Sequence, residues 1–85
     1  MKTLEQPIIV TKGTPVLVVD TDVYEDFVIQ NLSYNDVRIV VSDIAPVGVY
    51  GHILKYNEVL ATGVLTGKIW AIATVDTVSL ALSRG

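Results

Sequence analysis

Four carboxylates, Asp20, Asp22, Glu25 and Asp26, make the densest acidic cluster in the chain. Oxygen ligands at this density suit a hard cation such as Ca²⁺. The spacing, however, lacks the glycine and the distal glutamate of an EF-hand loop. Aspartates that close an apolar run also serve as acceptors for nearby backbone amides in a turn. The cluster therefore reads as a solvated turn, and no metal is assigned to it. His52 is the single histidine, between Gly51 and Ile53. A triad needs a nucleophile and an orienting acid around such a base, and no G-x-S-x-G elbow is present. None of the six glycines falls in a G-x-G-x-x-G or P-loop pattern, so no phosphate cradle is expected. The sequence predicts no catalytic residue, no cofactor and no enzyme activity.

The aromatic residues Trp70, Tyr24, Tyr34, Tyr50 and Tyr56 suit either a carbohydrate platform or a protein contact. The plainer reading is packing, with Trp70 in a core strand and Tyr34 at an exposed turn. Core or subunit contact is the reading preferred.

These residues must be positioned by a small domain. Eighty-five residues make one unit, whose thin core buries only about two-thirds of the unfolded chain's surface. Hydrophobic residues make up 51% and charged residues 18%, against roughly 45–50% and about 25% in ordinary globular domains. The surplus predicts apolar surface buried against other chains. With no cysteine, no disulfide or thiolate site supplies stability, and association is a usual substitute. The net charge of −3 and the scattered Lys2, Lys12, Arg38, Lys55, Lys68 and Arg84 argue against nucleic acid and against an anionic membrane surface. No apolar run reaches the length of a transmembrane helix. Ile8-Ile9-Val10 is too short for the apolar segment of a signal peptide, so synthesis without secretion is expected.

Short runs of β-branched residues separated by turn formers predict an all-β fold, a small antiparallel β-sandwich or barrel of about seven to eight short strands. Residues 1–6 precede Pro7 and read as an arm, either frayed or ordered on a neighbouring subunit. Strands are expected at 7–11, 15–19, 52–55 and 58–62, with at most a single helical turn near Asp22. Around Ser33-Tyr34-Asn35-Asp36, the runs 27–32 and 37–41 read as a β-hairpin. Phe27 and Ile29 point to one side and Val28 and Leu32 to the other, which predicts a first strand covered on both faces. Val37, Ile39 and Val41 share a face of the second. Residues 68–74 and 77–82 read as a second hairpin through Val75-Asp76, with Val78, Leu80 and Leu82 on its buried face. The connection 42–51 carries five apolar side chains among its proline and glycines, and is expected to press against its own sandwich or a neighbour.

Phe27-Val28-Ile29-Gln30-Asn31-Leu32-Ser33 followed by Asp36-Val37-Arg38-Ile39 resembles a pattern of small virion proteins of tailed bacteriophages. There an apolar strand ending in I-Q-N-L/S turns into a second strand, followed by a glycine-plus-apolar strand and a turn-Glu-apolar strand. The similar elements here are Gly51-His52-Ile53-Leu54, Asn57-Glu58-Val59-Leu60 and Gly67-Lys68-Ile69-Trp70-Ala71-Ile72-Ala73. The resemblance spans residues 15–84. It departs at Tyr56-Asn57-Glu58, where Pro-Gly-Glu is usual, and at Glu25-Asp26, where a basic residue is usual. It implies a capsid decoration (cement) protein on the phage head. Such a protein is a homo-oligomer, often a trimer, bound to the major capsid protein. A tail or fibre module that binds a host receptor or glycan is the alternative. The contact residues expected on this reading are Pro7, Ile8, Ile9 and Val10, Tyr34, and Ile44, Val47, Val49 and Tyr50.

Overall fold

In a strand, every second side chain points the same way. The computed structural model, which describes residues 2–20, 26–61 and 67–84, turns that pattern into nine strands among the described residues. They are β1 (Lys2–Thr3), β2 (Ile8–Val10), β3 (Val16–Asp20), β4 (Phe27–Asn31), β5 (Val37–Val41), β6 (His52–Leu54), β7 (Val59–Ala61), β8 (Lys68–Ala73) and β9 (Val78–Arg84). All strand pairings are antiparallel. In the first sheet β4 lies between β7 and β9, and β1 and β2 follow each other along the far edge of β9. The second sheet has the order β3-β8-β5-β6.

The expected sandwich is what the chain forms. Phe27, Ile29, Val78, Leu80 and Leu82 of the first sheet meet Val37, Ile39, Ile69 and Ala71 of the second in one core. Each large member contributes about 1.5–3 kcal/mol by leaving water. A β-bulge between Leu17 and Val19 lets β3 turn both Val18 and Val19 into that core.

Neither expected hairpin forms. β4 belongs to the first sheet and β5 to the second, and β8 and β9 are split in the same way. Each pair has one apolar face per strand, and stacking the two faces across the core buries both. Residues 32–36 accordingly send their bonds elsewhere: Leu32 N–H donates to Ser79 O (2.9 Å), and Ser79 N–H donates to Ser33 Oγ (2.8 Å). Nor is β4 covered on both faces. Phe27, Ile29 and Asn31 are buried, Val28 and Gln30 half-buried, and Leu32 exposed. Val41, expected beside Val37 and Ile39, is exposed at the end of β5, whereas Val40 on the other face is buried.

The arm is stitched to the sheet. Lys2 and Thr3 pair with Arg84 and Ser83, Thr3 Oγ1 bonds Ser83 Oγ (2.7 Å), Leu4 N–H donates to Leu82 O (2.9 Å), and the Leu4 side chain packs on the core. The helical turn considered near Asp22 lies outside the described residues. Removing residues 1–6 is expected to lower stability by about 1–3 kcal/mol through lost Leu4 burial and strand bonds, read by urea unfolding of the full and shortened chains.

Candidate functional site

Outward-facing side chains of the second sheet hold the connection 42–51. Val40, Trp70 and Leu17 are register partners across three strands, as are Ile53, Arg38 and Ile72. Where the connection leaves β5, Ser42 N–H donates to Lys68 O (2.9 Å) and Trp70 Nε1–H donates to Ser42 O (2.9 Å). Where it returns, Arg38 Nη1 donates to Gly51 O (3.3 Å). Gly51 takes φ +109, and a Cβ there would lie 2.5 Å from Ile39 O and 2.7 Å from Val40 Cγ2. Only glycine permits this approach.

The connection thus lies on its own sheet. Val40 and Ile72 are buried although neither belongs to the core between the sheets. Pro46 is buried, and it lines a groove of about 360 Å³ together with Ile72 and Pro15. The other apolar side chains turn outward: Ile44 is 75% exposed, Val47 90% and Val49 62%, and Tyr50 is also exposed. These apolar side chains are displayed between two fixed points of the backbone, Ser42 and Gly51.

A second exposed feature sits where β4 crosses to β5. The rings of Tyr34 and Tyr56 stack with centroids 4.4 Å apart and planes at 28°, and Tyr34 is 84% exposed. Both are positioned by Asn31, which is fully buried. Its Nδ2 donates to Asn35 O (2.9 Å) and Leu54 O (2.8 Å), and its Oδ1 accepts from Ser33 N–H (2.8 Å). Its main chain accepts from Asn57 N–H (2.8 Å) and donates to Glu58 O (3.1 Å). Asn57 occupies the left-handed region, at φ +63, which turns the chain straight after Tyr56.

The expected contact residues do not form one patch. Pro7 and Ile9 are exposed on the first sheet's side, while Val10 is fully buried in the chain's own core and Ile8 packs against it. Val10 therefore serves the sandwich itself, whereas Ile8 is half-buried beside it. Ile44, Val47, Val49 and Tyr50 lie with the second sheet, and Tyr34 lies at the crossing between sheets. Trp70 stands on a core strand, β8, as expected, with its side chain half-buried on the outward face, where it serves as a clamp. Of the acidic cluster, Asp22 and Glu25 lie outside the described residues, as does Tyr24. Among the described residues no group of three or more His, Asp or Glu is placed to hold a metal ion. His52 is exposed at the start of β6.

The sequence reading missed Asn31 as a structural centre, Tyr56 as the partner of Tyr34, and the groove beside Pro46. Asn31 stood in the I-Q-N pattern and could have been singled out as the polar residue on an apolar face.

The fold and this surface define a small antiparallel β-sandwich that exposes apolar side chains on the connection 42–51. No protein-family model matches the chain, and no curated protein or solved structure does.

Asn31→Ala is expected to cost about 2–4 kcal/mol in urea unfolding, because it leaves one amide and two carbonyls without their partner. Asn31→Asp sets a buried carboxylate against two carbonyls, which raises its pKa in the folded state. The folded variant then holds a proton that the unfolded chain releases, so its stability should recover as the pH is lowered.

Proposed function

We propose that this chain is a structural virion protein, a capsid decoration protein that binds the assembled phage head and stabilises it. The observation that carries this reading is the outward display of Ile44, Val47 and Val49 on a connection clamped by Trp70 and Arg38. The sequence pattern shared with small phage virion proteins and the all-β architecture support it. On this reading the partner is the major capsid protein, the chain acts as a homo-oligomer with a trimer favoured, and its place is the outer surface of the head.

The mechanism is linkage. A protein that binds the assembled lattice better than its separated subunits stabilises the lattice by RT ln(1 + [L]/Kd) at each site. Repetition over many equivalent sites turns a modest local term into a large one for the shell. A clamped surface loses little conformational entropy on docking, which favours affinity. No reaction is required of the chain.

A second reading, a tail or fibre module that contacts the host, is favoured by the exposed Tyr34–Tyr56 stack. An aromatic face of this kind stacks on sugar rings or anchors a protein contact. Copy number separates the readings. A decoration protein is present in lattice stoichiometry on a stained gel of purified particles, whereas a fibre module is present in a few copies.

Particles lacking the chain are expected to rupture at a lower temperature in a thermal melt than particles carrying it. Val47→Asp, at a site too exposed to affect folding, is expected to reduce occupancy about tenfold or more, since it removes an apolar contact of about 1.5–3 kcal/mol and adds a charge. Unchanged rupture temperature and unchanged occupancy would remove the stabilising role. Loss of adsorption with Tyr34→Ala, at normal head stability, would establish the host-contact reading instead.

A further inference from the structure

The groove beside Pro46 combines apolar walls with one cation. Pro15, Pro46, Val47, Val49 and Ile72 line it, and Lys12 is its single charged lining residue. This chain carries nine Asp and Glu against six Lys and Arg, yet no carboxylate lines the groove. Among the described residues Lys12 has no carboxylate partner. Its main chain is fixed by a bridge to Ala73, and Thr14 N–H closes the adjoining turn on Thr11 O (3.1 Å). At Gly13 and Gly48, also in the lining, a Cβ would meet nothing within 4 Å, so no other part of the chain crowds a visitor there.

We propose that this groove binds an extended apolar peptide segment of a partner protein, with one carboxylate of the segment on the Lys12 ammonium. Each part of the groove answers one part of such a ligand. The proline, valine and isoleucine walls take apolar side chains, and the space over Gly13 and Gly48 leaves room for an extended main chain. Lys12 supplies up to three donors to a carboxylate. Nucleic acid needs several cations, and a sugar needs polar planar side chains along the walls; the lining supplies neither. The volume sits at the small end of the roughly 300–1,000 Å³ typical of ligand pockets, which suits a few residues of extended chain. The inference stands on the groove alone and does not require that the partner be a capsid.

The test is a titration of the full-length ¹⁵N-labelled chain with acetyl-Leu-Val-Asp-Val-amide, and separately with its Asn counterpart, each to about 1 mM, followed by amide chemical shifts. The expected result is saturable shifts at Gly13, Gly48 and Ala73 with the Asp peptide. Binding should be about three- to tenfold weaker with the Asn peptide, and equally so for Lys12→Met, which keeps the aliphatic stem. Val49→Asp, at an exposed site, should abolish the shifts. Absence of shifts, or equal binding of the two peptides, would overturn the proposal. So would tighter binding of dodecanoate than of the peptide, or movement of the same amides with protein concentration alone, which marks a contact between copies of this chain. Particle occupancy plays no part in these readouts, so failure here is distinct from failure of the decoration role.

Discussion

One buried carboxamide joins the two layers of this protein. Asn31 stands on β4 of the first sheet, yet its Nδ2 reaches Leu54 O at the end of β6 in the second sheet and Asn35 O in the crossing between them. Apolar packing is non-directional, and cores of similar volume accept alternative arrangements with little loss. A buried amide is different, because each unmatched donor or acceptor carries its full desolvation cost. Among the described residues no buried side-chain nitrogen or oxygen lacks a partner. The Asn31 contacts thereby select one way of closing this end of the sandwich. They also fix the two turns that bring Tyr34 onto Tyr56, so the exposed aromatic stack inherits its order from a side chain that never meets solvent.

The second sheet shows the complementary arrangement on its outer side. There the side chains that a lone sheet would present to water, Val40 and Ile72, are covered by the chain's own connection. Trp70 and Arg38, one on each of the two central strands, clamp that connection at its departure and its return. Of the apolar residues left over, Ile44, Val47 and Val49 are exposed, the two valines at the rim of the groove beside Pro46. Polarity is therefore inverted locally: polar main chain bonds inward and hydrocarbon faces out.

Strand positions were largely legible because period-two alternation is a local signal. Val78, Leu80 and Leu82 gave the buried face of β9 directly, and the fold class followed. What was not legible is which strands become neighbours. A run, a polar turn and a second run look the same whether the strands pair in one sheet or stack in two, and 27–41 and 68–82 both stack. The difference lies in where the turn's bonds go, and those bonds run to Ser79 and Leu54, remote in sequence. Likewise, nothing near Lys2 announces that its partner is Arg84, which is why the first residues read as an arm. For the candidate site, the apolar character of 44–50 was visible, but the division between buried Pro46 and exposed Val47 depends on the sheet beneath. The groove combines a turn, a connection and a strand end, and no single stretch of sequence contains it.

β9 pairs with β1, β2 and β4 at once, and the strands joined by short crossings never pair with each other. A chain leaving the ribosome therefore holds its early ribbons without a mate until the last of these nine strands has been made. Little local hairpin structure can accumulate meanwhile, since closure of long loops precedes almost every ladder. Folding of this sandwich is set up as a late, all-at-once event, and until then its apolar runs stand open to whatever chains are nearby.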